Sequence, residues 1–173
     1  TERAIAAEIF DDVLVATSED SSDNQLADFC TTRGIHVFRG DLNDVLRRYW
    51  QAIETTNADV ITRLTGDCPL LDPEVIRATV IMFLNGNFDY VSNAIERTYP
   101  DGLDTEVFSF TTLEKTNEEA RLPSEREHVT PFIHNHPELF KIGHMKQEKD
   151  QSALRWTIDE ASDLEFVRTV FTE

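Results

Sequence analysis

Asp67 occupies a position where a chain of this kind can do chemistry. Val60, Ile61, Thr62 and Leu64 form a short β-branched and apolar run that stops at Thr65-Gly66-Asp67. Asp72 and Pro73 then supply the N-cap and first residue of a new helix. A strand that ends in a glycine and a lone carboxylate puts that carboxylate at the carboxyl edge of a parallel sheet, the edge where open α/β sheets bind ligands. Gly66 lets a ligand approach the backbone, and Asp67 is a hard oxygen donor suited to Mg2+. The plainer role is a turn aspartate that caps its own backbone.

A second carboxylate cluster lies near the C-terminus, where residues 154–165 read LRWTIDEASDLE. Leu154, Trp156 and Ile158 alternate as in a short strand, Asp159-Glu160 follow, and Ser162 with Glu165 three residues on reads as the capping box of a helix. Alone, Asp159 could be a solvated turn residue. Two strand-end aspartates far apart in sequence are what a fold needs to clamp a metal–nucleotide between neighbouring loops, so Asp67 and Asp159 are the candidate catalytic and metal residues.

These segments, with VLVATSED (13–20) and HVFRGDLNDVLRRYWQA (36–52), resemble the cytidylyltransferases that make CMP-activated acid sugars. The likeness is to the spore-coat polysaccharide type, akin to acylneuraminate and ketodeoxyoctonate cytidylyltransferases. It extends through YPDGLDTEVFSF (99–110) and LPSEREHVTPFI (122–133), and the shared order and spacing are more specific than any single motif. The resemblance implies a nucleotide-diphospho-sugar transferase-like fold and transfer of CMP from CTP to an acid sugar, with release of pyrophosphate, for surface polysaccharide synthesis. It implies that Asp67 and Asp159 hold Mg2+ against the phosphates. It places Thr17 and Ser18 at the base and ribose, with Arg39, Thr65 and Gly66 completing the nucleotide pocket. It makes residues 93–136 an inserted region that binds the sugar and helps form a homodimer, with Asn93, Asp104, Glu106, Arg126 and His128 as its polar candidates. Read from the residues alone, these are ordinary solvated charges on a helix and an edge strand, and Arg39 an exposed loop charge.

The resembled family opens with a strand and a glycine-containing loop bearing arginine, serine and lysine, which grips the triphosphate. Residues 1–7, TERAIAA, match the end of the helix that follows such a loop. The expectation is therefore a single nucleotidyltransferase-like domain over 1–173 without its first strand and glycine loop, inactive as numbered.

Composition sets the wider bounds. The 173 residues suit one domain, and 40% hydrophobic residues can fill a core. A net charge of −17, from 16 basic and 33 acidic residues, argues against nucleic acid or an anionic membrane as partner. No apolar run approaches a membrane span, and no leader pattern is present, so a cytoplasmic location is expected. Cys30 and Cys68 suggest no disulfide framework.

Strand and helix patterns alternate along the chain. Val13 to Ala16, Ile35 to Phe38, Val60 to Leu64 and Asp89 to Ser92 read as strands. Asn24 to Arg33, a helix capped by Asp41, and Pro73 to Asn85 read as helices, with Gly34 and Gly86 as stops. The alternation predicts an α/β fold with a doubly wound, mostly parallel sheet. Between residues 92 and 136 it loosens: Tyr99 to Gly102 is a turn, Leu103 to Phe108 a strand, and Phe110 to Ala120 a helix. Ser124 with Glu127 forms a capping box for another helix, which Pro131 should kink or end.

Three rival readings remain open at this level. A metal-dependent glycosyltransferase would normally show an Asp-x-Asp pair where this chain has only Asp67. A nucleotidyltransferase-like module could serve in dimerisation without catalysis. The same chemistry could use another nucleotide, such as GTP.

Overall fold

Leu14 and Val15 start a strand because they are apolar and lie beside a second run, His36 to Gly40, that can pair with them in parallel. These are β1 (Leu14–Ser18) and β2 (His36–Gly40), in register from Leu14 opposite His36 to Ser18 opposite Gly40. A computed structural model of the chain describes residues 1–172. The chain divides into two compact units, one comprising residues 11–61 and 108–141 with Thr1, the other residues 2–10, 62–107 and the chain from Ile142 on.

In the first unit, parallel pairing of β1 and β2 requires a crossover, supplied by α2 (Asn24–Thr32). Gly34, at φ +69°, turns the chain out of that helix where a side chain would be strained. The next helix, α3 (Val45–Glu54), is capped by Asp44, whose carboxylate accepts from the Arg47 N–H at 3.0 Å. The cap is thus Asp44 and not Asp41; Asp41 instead accepts from the N–H groups of Asn43 and Asp44, both at 2.8 Å, and builds the preceding turn. Leu46 and Ala52 are the buried residues of α3, which packs on β1 and β2.

Ser109 caps α5 (Phe110–Glu119) through its hydroxyl. The following helix, α6 (Pro123–His128), corrects the expected Ser124–Glu127 box. Leu122 is the N-cap and Glu125 closes the turn, accepting from the N–H groups of Arg121 and Leu122 at 3.0 Å each. Pro131 neither kinks nor ends that helix but opens α7 (Pro131–Asn135). Between them Val129 sits at φ +73°, with Thr130 N–H bonded to the His128 carbonyl at 2.9 Å, a γ-turn reversal.

The second unit begins with α1 (Glu2–Ile5) and contains α4 (Pro73–Asn85), whose start matches expectation: Asp72 accepts from the Glu74 N–H and Pro73 is first in the helix. A four-stranded sheet has the order β3 (Val60–Arg63), β5 (Glu106–Ser109), β4 (Tyr90–Ser92), β6 (Ile142–His144), with β4 and β6 parallel. Strand β6 has no counterpart in the sequence reading. Residues 154–158 do not form the expected strand; they run as a loop with one bridge, Asp101 to Arg155. The helix after them is α8 (Ala161–Val170), capped by Glu160 with Asp163 at N3, so Ser162 lies inside it.

The expected α/β class with parallel pairing is thus observed, over two sheets. The span 93–136 divides at Val107 between the two units. Of the apolar residues in this span, Leu103, Val107, Phe108 and Leu113 are buried within the chain itself and Phe110 is partly buried. Among the described residues no helix is long and apolar enough to cross a membrane.

Candidate functional site

In the second unit, β3 ends at Arg63 and the chain turns through Thr65 to Cys68. Cys68 N–H bonds the Thr65 carbonyl at 3.3 Å, and the Thr65 hydroxyl lies 3.2 Å from the Cys68 sulfur. Cys68 is part of a buried cluster with Ala7, Leu71 and Ile76. Burial pushes its thiol up to about 12, so it stays protonated and fills space instead of attacking anything. The neighbouring Gly66 and Asp67 are exposed. A side chain at Gly66 would meet no atom within 4 Å, so packing does not require the glycine.

The loop that carries Asp159 lies directly against this turn. The Ile158 N–H donates to the Asp67 carbonyl at 2.8 Å. Upstream, Trp156 N–H bonds the Asp101 carbonyl at 2.6 Å and Asp101 N–H the Leu154 carbonyl at 2.9 Å. Gly102 makes this possible: it sits at φ +106°, and a Cβ there would meet the Trp156 carbonyl carbon at 2.7 Å and the Thr157 nitrogen at 2.9 Å. The structure therefore brings together the backbone of the two segments that carry Asp67 and Asp159.

Asp159 is well furnished with donors. Its Oδ2 accepts from the Thr157 hydroxyl at 2.8 Å and from Arg155 Nη2, and these bonds hold the carboxyl below its ordinary value. Asp163 accepts from the N–H groups of Asp159 and Glu160 at 2.9 and 2.8 Å, and from Arg155 Nη1 at 2.9 Å, which lowers it to about 2. Arg155 and Asp163 escaped the sequence reading. The signal was their spacing to Asp159, four residues on either side, which places all three in one turn and its helix start.

Among the described residues no group of three or more His, Cys, Asp or Glu side chains could hold a metal by itself. Mg2+ commonly keeps several waters and takes one or two carboxylates plus substrate phosphates. An exposed Asp67 beside the Asp159 loop fits that donor set.

In the first unit, the end of β1 is closed by Asp23. Its Oδ2 accepts from the Thr17 hydroxyl at 2.7 Å, the Ser18 N–H at 2.9 Å and the Ser18 hydroxyl at 2.6 Å, and these donors lower it to about 2. Thr17 and Ser18 are buried. Arg39, at the end of β2, donates from Nε to the Ser18 carbonyl at 2.8 Å and from Nη2 to the Asp20 carbonyl at 2.9 Å. These three residues therefore form one hydrogen-bonded strand-end loop.

The sugar-side candidates fall into two groups. In the second unit, Asn93 is fully buried, donating to the Leu103 carbonyl at 2.7 Å and accepting from Thr105 N–H at 2.8 Å. Asp104 takes both prongs of Arg97 at 2.5 and 2.8 Å, and buried Glu106 accepts from Arg63 and from the Tyr90 hydroxyl. In the first unit, Arg126 forks onto Asp44 at 2.9 and 2.7 Å and reaches Asn117, while His128 at the end of α6 is exposed.

Residues 1–171 match the family model for cytidylyltransferases, and the chain belongs to that family. It is 40% identical over 94% of its length to an uncharacterized protein of Methanocaldococcus jannaschii and 32% identical over 93% to the spore coat polysaccharide biosynthesis protein SpsF of Bacillus subtilis. It spans 66% and 67% of those two proteins. The solved structure of a cytidylyltransferase from Leptospira borgpetersenii, 36% identical, superposes with a TM-score of 0.93 over 99% of this chain and 73% of that one. The fold is that of the nucleotide-sugar transferase-like nucleotidyltransferases.

Proposed function

We propose that the protein transfers CMP from CTP to the hydroxyl of an acid sugar, acting in the cytoplasm for surface polysaccharide synthesis. In that reaction the sugar oxygen bonds to the α-phosphorus, the bond to the β-phosphate breaks, pyrophosphate departs with the electron pair, and the hydroxyl proton is released. Membership of the cytidylyltransferase family supports the donor, and the polysaccharide role in the SpsF name supports a sugar as acceptor. The observation that carries the reading is the bond between Ile158 N–H and the Asp67 carbonyl, because it docks two aspartate-bearing turns against each other.

In this proposal Asp67 and Asp159 hold Mg2+. Bound there, the ion would neutralise phosphate charge and lower the repulsion met by an incoming hydroxyl. Exposed Gly66 leaves room for the nucleotide beside Thr65, and Thr17, Ser18 and Arg39 keep the base and ribose role. Among the sugar candidates we assign direct contact to exposed His128. Asn93, Asp104, Glu106 and Arg126, whose polar atoms are bound within the chain, shape the surroundings. The proposal keeps the homodimer, to be checked by light scattering at micromolar concentration.

The test is pyrophosphate release with each of the common nucleoside triphosphates against a panel of acid and neutral sugars. Release that requires CTP and an acid sugar is expected. Preference for another triphosphate, or for a neutral sugar, would replace the reading.

A further inference from the structure

Arg155 faces two carboxylates, and one of them is the carboxylate assigned above to the metal. Its Nη1 reaches Asp163 at 2.9 Å while Nη2 reaches Asp159. The two acids are not equally dependent on it. Asp163 also accepts two backbone N–H groups, so its charge is met without the arginine. Asp159 has only the Thr157 hydroxyl besides Arg155, both on Oδ2, and its Oδ1 accepts no hydrogen bond among the described residues. The guanidinium is also half-exposed, 43% for the side chain, so it can leave Asp159 without opening a core.

A guanidinium and a divalent cation on one carboxylate repel each other, and charge donated to one is withdrawn from the other. We propose that Arg155 is the resident counter-ion of Asp159: it holds the carboxylate while no divalent cation is bound and is displaced onto Asp163 when one arrives. The inference rests on the assignment of Asp159 to the metal. It makes Arg155 a positioning residue that competes with the ion, the opposite of a residue that helps to bind it. Asp163 is the parking site, because its two backbone donors fix it in place whichever way the arginine turns. Thr157 keeps Asp159 oriented during the exchange.

Mn2+ binding to the metal-free protein, read by electron paramagnetic resonance without nucleotide, tests this directly. Arg155→Gln should bind Mn2+ roughly two- to fivefold more tightly than the parent, the size of effect expected from removing an exposed competing ion pair. Arg155→Lys keeps the charge and should stay near the parent. The double variant Arg155→Gln/Asp159→Asn should bind no better than Asp159→Asn alone. Equal or weaker Mn2+ binding by Arg155→Gln, with Asp159→Asn clearly weakened, overturns the counter-ion role and leaves the metal assignment standing. An Arg155→Lys variant as tight as Arg155→Gln overturns it too, because shape and not charge would then be the cause. Unchanged binding by Asp159→Asn overturns the metal assignment itself, and the inference with it.

Discussion

Ile158 donates its backbone N–H to the carbonyl of Asp67 at 2.8 Å, so the turn after β3 and the turn before α8 are joined by a main-chain bond. A bond between backbone atoms survives replacement of either side chain. That separates the role in chemistry proposed for the two aspartates from any role in holding their loops.

Asp67→Asn and Asp159→Asn are each expected to lower turnover at least about a hundredfold, because metal charge stabilisation is worth several kcal/mol. Each should leave the melting temperature within about 2 °C of the parent, as for other exposed substitutions. Steady-state kinetics with thermal melts makes the check, and near-normal turnover in both variants would remove them from the site.

Gly102 lies one step further from the chemistry but controls the same segment. A methyl group there meets backbone of Trp156 and Thr157 under 3 Å, at a φ of +106° that side chains rarely adopt. Gly102→Ala should cost about 1–3 kcal/mol, a fall in melting temperature of roughly 3–10 °C. Because the displaced strand of chain leads straight into Asp159, Mn2+ affinity should fall with it. A variant that melts like the parent would show that the loop yields freely.

Acid should weaken the fold through two aspartates. Asp23 and Asp163 are lowered from 3.8 to about 2 by donors that favour the ionised form. A group depressed in this way contributes stability above its unfolded value, and the contribution is lost as pH falls from 3.8 toward 2. Urea midpoints measured across that interval should drop steadily, and Asp23→Asn and Asp163→Asn should each flatten the drop. An unaltered slope in both variants would assign the acid limb to other carboxylates.

Arg126 ties the Asp44 cap of α3 to Asn117 in α5, donating to Asp44 at 2.9 and 2.7 Å and to Asn117 at 2.9 Å. Arg126→Ala is expected to destabilise the protein by about 1–3 kcal/mol, since its charged hydrogen bonds to Asp44 and Asn117 are lost together while the Asp44 cap itself remains. Arg126→Lys should recover only part of this, because an ammonium cannot fork. Chemical denaturation distinguishes this from a purely substrate-facing arginine, whose loss would leave stability unchanged.

Much of the fold was legible because its signals are local. Asp72, Pro73 and Gly86 bracket α4, and the apolar positions between them bury Ile76, Val80 and Phe83. The failures come from bonds that sequence spacing does not display. Leu154, Trp156 and Ile158 alternate as a strand would, yet their partners are single residues, Asp101 and Asp67, at two different places. Leu122 caps α6 only because Glu125 supplies the acceptor, and no residue-type rule favours leucine there. Strand β6 is three residues long and carries Gly143, where a Cβ would meet Val91 and Phe88 at 3.0 and 3.1 Å; close approach, not propensity, makes it a strand. In the candidate site, type and position singled out Asp67 and Asp159 for proposal, but the bond between their turns and the Arg155 and Thr157 partners of Asp159 were visible only in three dimensions. Arg39, for which the sequence left a nucleotide contact and an exposed loop charge both open, bonds the Ser18 and Asp20 carbonyls at the neighbouring strand end.

The reversal at Val129 has a mechanical meaning. Val129 and Thr130 join α6 to α7, and the one at φ +73° is a fully buried valine where glycine would sit without strain. The strain of about 1–3 kcal/mol is of the same size as the roughly 1.5–3 kcal/mol gained by burying the side chain, so the valine adds little net stability. What it adds is stiffness. Glycine would make the corner a hinge; a wedged β-branched side chain makes it an elbow with one angle. Arg126 and His128 are therefore carried on a bracket, and whatever meets His128 meets it at a fixed bearing to the helix beyond.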